Sequence, residues 1–120
     1  MRKKLFIVDD DPSLIKVYDR MFRPILETNG IEVHTFDDAV SVLEAVERDG
    51  MPTVLLTDDR MPRMSGRELA ADLRKRGYAG KILMVSGTAG QDVRADGVDE
   101  LLPKPVDTAL LRDTVRRFLG

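Results

Sequence analysis

The chain has 120 residues, a formal net charge of −2 and no cysteine. That length predicts one domain spanning 1–120, and the missing thiols exclude disulfides, zinc–thiolate sites and thiol nucleophiles, which fits a cytoplasmic setting. Charges of both signs are mixed along the sequence, which excludes a field built for nucleic acid or an anionic membrane, and the apolar run after Met1-Arg2-Lys3-Lys4 is too short for a signal peptide or a membrane span.

Apolar runs alternate with helix-period segments. Lys4–Val8 is predicted as the first strand, ending in Asp9-Asp10-Asp11-Pro12, where Asp11 and Pro12 form a helix start. Leu14, Tyr18, Met21, Phe22 and Ile25 follow at helical spacing, and Pro24 is expected to kink or end that helix near Arg23. Glu32–Phe36 is the second strand; Asp37 or Asp38 caps the second helix, which Gly50 ends. Thr53–Thr57 is the third strand, a short apolar run that stops in Asp58-Asp59-Arg60-Met61-Pro62. Ser65-Gly66-Arg67-Glu68 has the capping-box pattern and opens the third helix. Lys81–Val85 is the fourth strand. The glycine-rich stretch from Ser86 to Val98 has room for at most a short fourth helix. Glu100–Leu102 is the fifth strand, and a final helix runs from about Asp107 to Leu119.

Five such β/α units predict an α/β fold with a doubly wound parallel sheet of flavodoxin-like order 2-1-3-4-5 and a short or irregular fourth helix. In this order the first and third strands are neighbours, so the acids after each converge beyond the carboxyl edge of the sheet, where open α/β sheets bind ligands. Crowded carboxylates disfavour one another's ionisation, and a hard divalent cation relieves that.

Asp9-Asp10, then Asp58 with Met61-Pro62 and Gly66, then Ser86, then Lys104-Pro105 stand in order, each set at a strand's carboxyl end. In these residues the chain resembles the receiver domain of bacterial two-component response regulators, over essentially its whole length. The resemblance implies that Asp58 is the phosphoryl acceptor, with Met61, Pro62 and Gly66 in register behind it. Asp59 is the rival, although adjacent strand residues face opposite ways. It further implies Mg²⁺ as cofactor, held by Asp10, Asp58 and the backbone carbonyl of Arg60, with Asp9 acting through water. Ser86 and Lys104 are implied as the hydroxyl and the cation that receive the phosphoryl oxygens. The implied partners are a sensor histidine kinase or histidine phosphotransfer protein as donor and an unknown downstream protein, with neither nucleic acid nor membrane. The chain would accept a phosphoryl group on its own aspartate, with any catalysis limited to its own dephosphorylation, and is not expected to be an enzyme for other substrates.

Other readings differ in class. One is a receiver-like module that binds partners without phosphorylation; the unusual stretch after Ser86 favours it, and the intact acid, serine and lysine set opposes it. Another is an aspartyl phosphohydrolase, which would need a second acid where Arg60 stands. Asp11 reads as a helix cap rather than a ligand, and His34 as a solvated strand residue. Three departures from the receiver pattern stand out. Leu101 replaces a usual aromatic. The interval from Ser86 to Lys104 is about one helical turn short, and the first helix is about one turn long.

Overall fold

The strands form on short runs that carry apolar or β-branched residues, and acid, glycine or proline stands at or just beyond the end of each. The computed structural model describes residues 2–87 and 96–120. Its elements are β1 (Lys4–Val8), α1 (Pro12–Thr28), β2 (Glu32–Phe36), α2 (Ala39–Asp49), β3 (Val54–Asp58), α3 (Gly66–Lys75), β4 (Lys81–Ser86), β5 (Glu100–Pro103) and α4 (Thr108–Leu119). The strands make one parallel sheet in the order β2-β1-β3-β4-β5, as expected. The expected short fourth helix falls largely on 88–95, outside the described residues, so α4 is the C-terminal helix.

Both faces of the sheet are covered, because side chains alternate along each strand. Leu5, Ile7, Val54, Leu56, Leu83 and Val85 pack against Tyr18, Phe22 and Leu26 of α1 and Leu111 and Val115 of α4. Phe6, Val8, Leu55, Ile82 and Met84 pack on the other face against α2 and α3. Burial of such apolar area, at about 25 cal/mol per Å², is the main force holding the layers together.

Each described helix starts on a side-chain cap. Asp11 accepts from the Ser13 N–H at 2.9 Å, Asp38 from Ser41 at 2.8 Å, and Asp107 from Ala109 and Leu110. The α2 cap is therefore Asp38 rather than Asp37. The α3 capping box is complete: the Glu68 N–H donates to Ser65 Oγ, and the Ser65 N–H donates to Glu68 Oε1. Such caps contribute about 1 kcal/mol each.

The helix end allowed for near Arg23 does not occur, for α1 runs on to Thr28. Pro24 lies on the exposed side, where water can serve the carbonyl left without a donor. Phe22 and Leu26 stay buried on either side of it, so tertiary packing outweighs the local cost. Thr28 Oγ1 donates to the Pro24 carbonyl at 2.6 Å, and Asn29 Nδ2 to that of Ile25 at 2.8 Å, closing the last turn. No described helix is long and apolar enough to cross a membrane.

Candidate functional site

Strand register assembles the site. Val8 pairs with Thr57, so the residues that follow, Asp9 and Asp58, emerge side by side. Asp58 pairs with Val85, which places Ser86 one step beyond it. Ser86 pairs with Pro103, and the Lys104 N–H donates to the Ser86 carbonyl at 3.0 Å. The Lys104-Pro105 peptide is cis.

Asp9, Asp10 and Asp58 each offer a carboxylate oxygen, and these atoms lie within 4.8 Å of one another. Asp9 and Asp58 are buried, at 2% and 6% exposure, while Asp10 faces solvent. Lys104 Nζ lies 2.7 Å from Asp58 Oδ1. An open cleft of about 300 Å³ is lined by Asp58, Arg60, Ser86, Gly87 and Lys104. The structure thus gathers Asp9, Asp10, Asp58, Ser86, Lys104 and Arg60 at one edge of the sheet. A larger groove of about 720 Å³ along β2 holds charges of both signs, and among the described residues its acids form no group close enough to hold a metal ion.

The electrostatics follow from the crowding. Burial, then the charges of Asp58 and Asp10, push the Asp9 carboxyl up to about 6, against the opposing pull of the Asp11 N–H and of Lys104. Burial works against the Lys104 ammonium, yet the hydrogen bond and charge of Asp58, with Asp9 and Asp10 behind, raise its pKa above the ordinary lysine value. Three hard oxygen donors with one exposed member suit a hard divalent cation that keeps part of its water shell.

Asp59 turns away from this cluster. It is 8% exposed, and its Oδ2 lies 3.4 Å from Arg67 Nε. Gly66 closes the loop: its N–H donates to the Asp59 carbonyl at 2.7 Å. Asp11 caps α1, as expected, and also donates its N–H to Asp9 Oδ1 at 2.9 Å. His34 is exposed and bonds Glu32 at 3.0 Å. Leu101, in place of the usual aromatic, packs half-buried against the α2–α3 side of the core.

Three contributors were not singled out from the sequence. Tyr18 is buried close enough to Asp9 and Asp58 that their charges add to burial in raising its hydroxyl to about 12; it read only as a core position. Arg67 read only as part of a capping motif. Arg63, a non-glycine residue with φ of 70°, pairs with the α2 cap Asp38 and so links the loop after β3 to the next helix. No spacing in the sequence signals that long-range pair.

A five-stranded parallel sheet in this order, with acids and a lysine gathered at its carboxyl edge, defines the class: an α/β switch-point protein with an acidic site able to hold a metal ion. The sequence model of the response regulator receiver domain matches residues 5–116, and the chain belongs to that family. The chain is 31% identical over 121 residues to the C4-dicarboxylate transport transcriptional regulatory protein DctD of Pseudomonas aeruginosa, covering 97% of this chain and 25% of that protein. It is 32% identical over 120 residues to the response regulator MprA of Mycobacterium leprae, covering 97% of this chain and 50% of that one. It therefore spans a quarter to a half of these relatives' length. Among solved structures, a CheY-like receiver domain protein from Methanospirillum hungatei superposes with a TM-score of 0.81 at 28% identity, over 99% of this chain and 94% of that one. The receiver domain of the Francisella response regulator 1452 gives 0.84 at 22% identity, over 98% and 97%, a likeness of fold alone. Receiver domains of response regulators are signalling modules of two-component systems rather than ordinary enzymes.

Proposed function

We propose that this chain is a single receiver unit that accepts a phosphoryl group on Asp58 in a Mg²⁺-dependent reaction, from a sensor histidine kinase or histidine phosphotransfer protein in the cytoplasm. The observation that carries this reading is the convergence of Asp9, Asp10 and Asp58 within 4.8 Å, with Lys104 at 2.7 Å from Asp58.

Asp10 and Asp58, with the Arg60 carbonyl, would hold Mg²⁺ directly and Asp9 through water. Bound there, the ion supplies positive charge opposite the phosphoryl oxygens. The remaining work falls to the chain. Asp58 presents one carboxylate oxygen to phosphorus; that oxygen forms the new bond while the donor leaves with the electrons of the bond that breaks. Lys104, positioned by its backbone bond to Ser86, then turns from the lone carboxylate to the oxygens of the phosphoryl group. The Ser86 hydroxyl supplies a hydrogen bond to the same oxygens. The change alters a surface read by a downstream protein.

Intact mass after incubation with acetyl phosphate and Mg²⁺ tests this. One phosphoryl adduct is expected on the wild type, and none on Asp58→Asn or without Mg²⁺. Failure of the wild type with both acetyl phosphate and a phosphorylated donor protein would turn the reading toward a phosphorylation-independent binding module.

Two further outcomes follow from the same cleft. Lys104→Met should slow adduct formation by about 100-fold, the scale seen when one preorganised donor to a developing charge is lost. A rate within about threefold of wild type would remove Lys104 from the mechanism. The exposed Arg60 side chain lines the cleft beside Asp58 and Lys104. From there its guanidinium would pair with the phosphoryl group and shield it from water. Arg60→Ala should shorten the lifetime of the adduct by about threefold, as befits an exposed ion pair; an unchanged dephosphorylation rate would remove that role.

A further inference from the structure

Asp58 and Asp59 are consecutive, buried carboxylates, alike in intrinsic nucleophilicity. Each meets its own cation. Asp58 has Lys104 at 2.7 Å, and Asp59 has Arg67 at 3.4 Å. Arg67 projects from the first turn of α3, whose start is pinned to Asp59 by the Gly66 N–H at 2.7 Å.

The Arg67 guanidinium is held in an uncommon way. Its Nε and Nη2 are buried and make no hydrogen bond among the described residues. The contact with Asp59 is therefore Coulombic attraction, without the paired hydrogen bonds an arginine usually makes to a carboxylate. Buried donors left unpaired cost fold stability. Arg67 is the one cation paired with Asp59 among the described residues. Asp10, Asp59 and Arg67 also line one cleft, of about 570 Å³, so Asp59 has open space toward the acid cluster.

We propose that Arg67 is a positioning residue that selects the acceptor: its charge holds Asp59 away from the acid cluster, leaving Asp58 as the sole nucleophile. This rests on Asp58 being the acceptor in the wild type. Without Arg67, the Asp59 carboxylate is free to turn into the shared cleft. There it attacks phosphorus as Asp58 would: an oxygen–phosphorus bond forms, the bond from phosphorus to the bridging oxygen of acetyl phosphate breaks, and acetate leaves with that electron pair.

The test uses the full chain with acetyl phosphate and Mg²⁺, with the modified residue located by peptide mapping. Wild type should carry the adduct on Asp58, and Asp58→Asn none. Asp58→Asn/Arg67→Gln should gain an adduct on Asp59, at least about tenfold above the single variant. Asp58→Asn/Arg67→Lys, which keeps the charge, should fall back to the single variant's level. Arg67→Met, which keeps the apolar stem, replaces the glutamine if that variant does not fold. A folded double variant with no adduct on Asp59 would overturn the proposal. So would an equal gain with lysine, or loss of the fold in both neutral variants, which would make Arg67 purely structural. A wild type without an adduct on Asp58 would instead overturn the acceptor assignment itself.

Discussion

Gly66→Ala should cost about 3 kcal/mol of stability, at the upper end of overpacking changes, and lower the melting temperature by roughly 10 °C. A Cβ at this position would stand 2.2 Å from the Asp58 carbonyl oxygen, and 3.1 Å from Asp58 C and Asp59 Cα. All three neighbours are backbone, so no side chain can swing aside. The requirement is for space, since Gly66 is not among the positive-φ residues. Relief would need α3 to withdraw from β3, breaking the 2.7 Å bond from the Gly66 N–H to the Asp59 carbonyl. It would also shift the peptide that carries Asp58, so adduct formation should fall together with stability. Gly87→Ala serves as the control: a Cβ there meets nothing within 4 Å. Its melting temperature should stay within the change expected for about 0.5 kcal/mol. Equal melting curves for Gly66→Ala and wild type would mean that this loop is looser than the close approach implies.

Asp9→Asn should make the metal-free protein more stable near pH 7, by on the order of 2–3 kcal/mol, while weakening its response to Mg²⁺. The Asp9 carboxyl is raised from 3.8 to about 6, first by burial and then by Asp58 and Asp10. A carboxyl raised in the folded state binds protons there that the unfolded chain has already released. Its contribution therefore favours the fold at low pH, declines as pH rises from about 4 to about 6, and is level above that. Asparagine carries no charge and removes this dependence. Urea midpoints of both proteins should agree near pH 4 and separate by pH 7, with the variant ahead. Adding Mg²⁺ at pH 7 should stabilise the wild type more than the variant, because the ion neutralises the charge that burial penalises. A difference between the two proteins that does not change with pH would contradict this account of the acid cluster.

The sheet was legible because β1 and β3 each end their apolar runs in acids, and five alternating units leave few topologies. From the strand order alone the meeting of Asp9 and Asp58 follows, and the register of Val8 with Thr57 accounts for it physically. Of the two outcomes expected of Pro24, a kink or an end near Arg23, the end does not occur, because Phe22 and Leu26, buried on the core face, outweigh the local rule. The choice of Asp38 over Asp37 as cap was equally local and equally undetermined. Arg63 with Asp38 and Arg67 with Asp59 were not legible at all, since each pair depends on how the loop after β3 folds back. Whether a short helix follows Ser86 lies outside the described residues.

Asp58 is the residue expected to take the phosphoryl group. The most direct measurement treats the wild-type protein with acetyl phosphate and Mg²⁺, reduces the acyl phosphate with borohydride, and locates the resulting homoserine by tandem mass spectrometry. Homoserine at position 58, dependent on Mg²⁺, is the predicted result. Homoserine at position 59, or at any other aspartate, would contradict it.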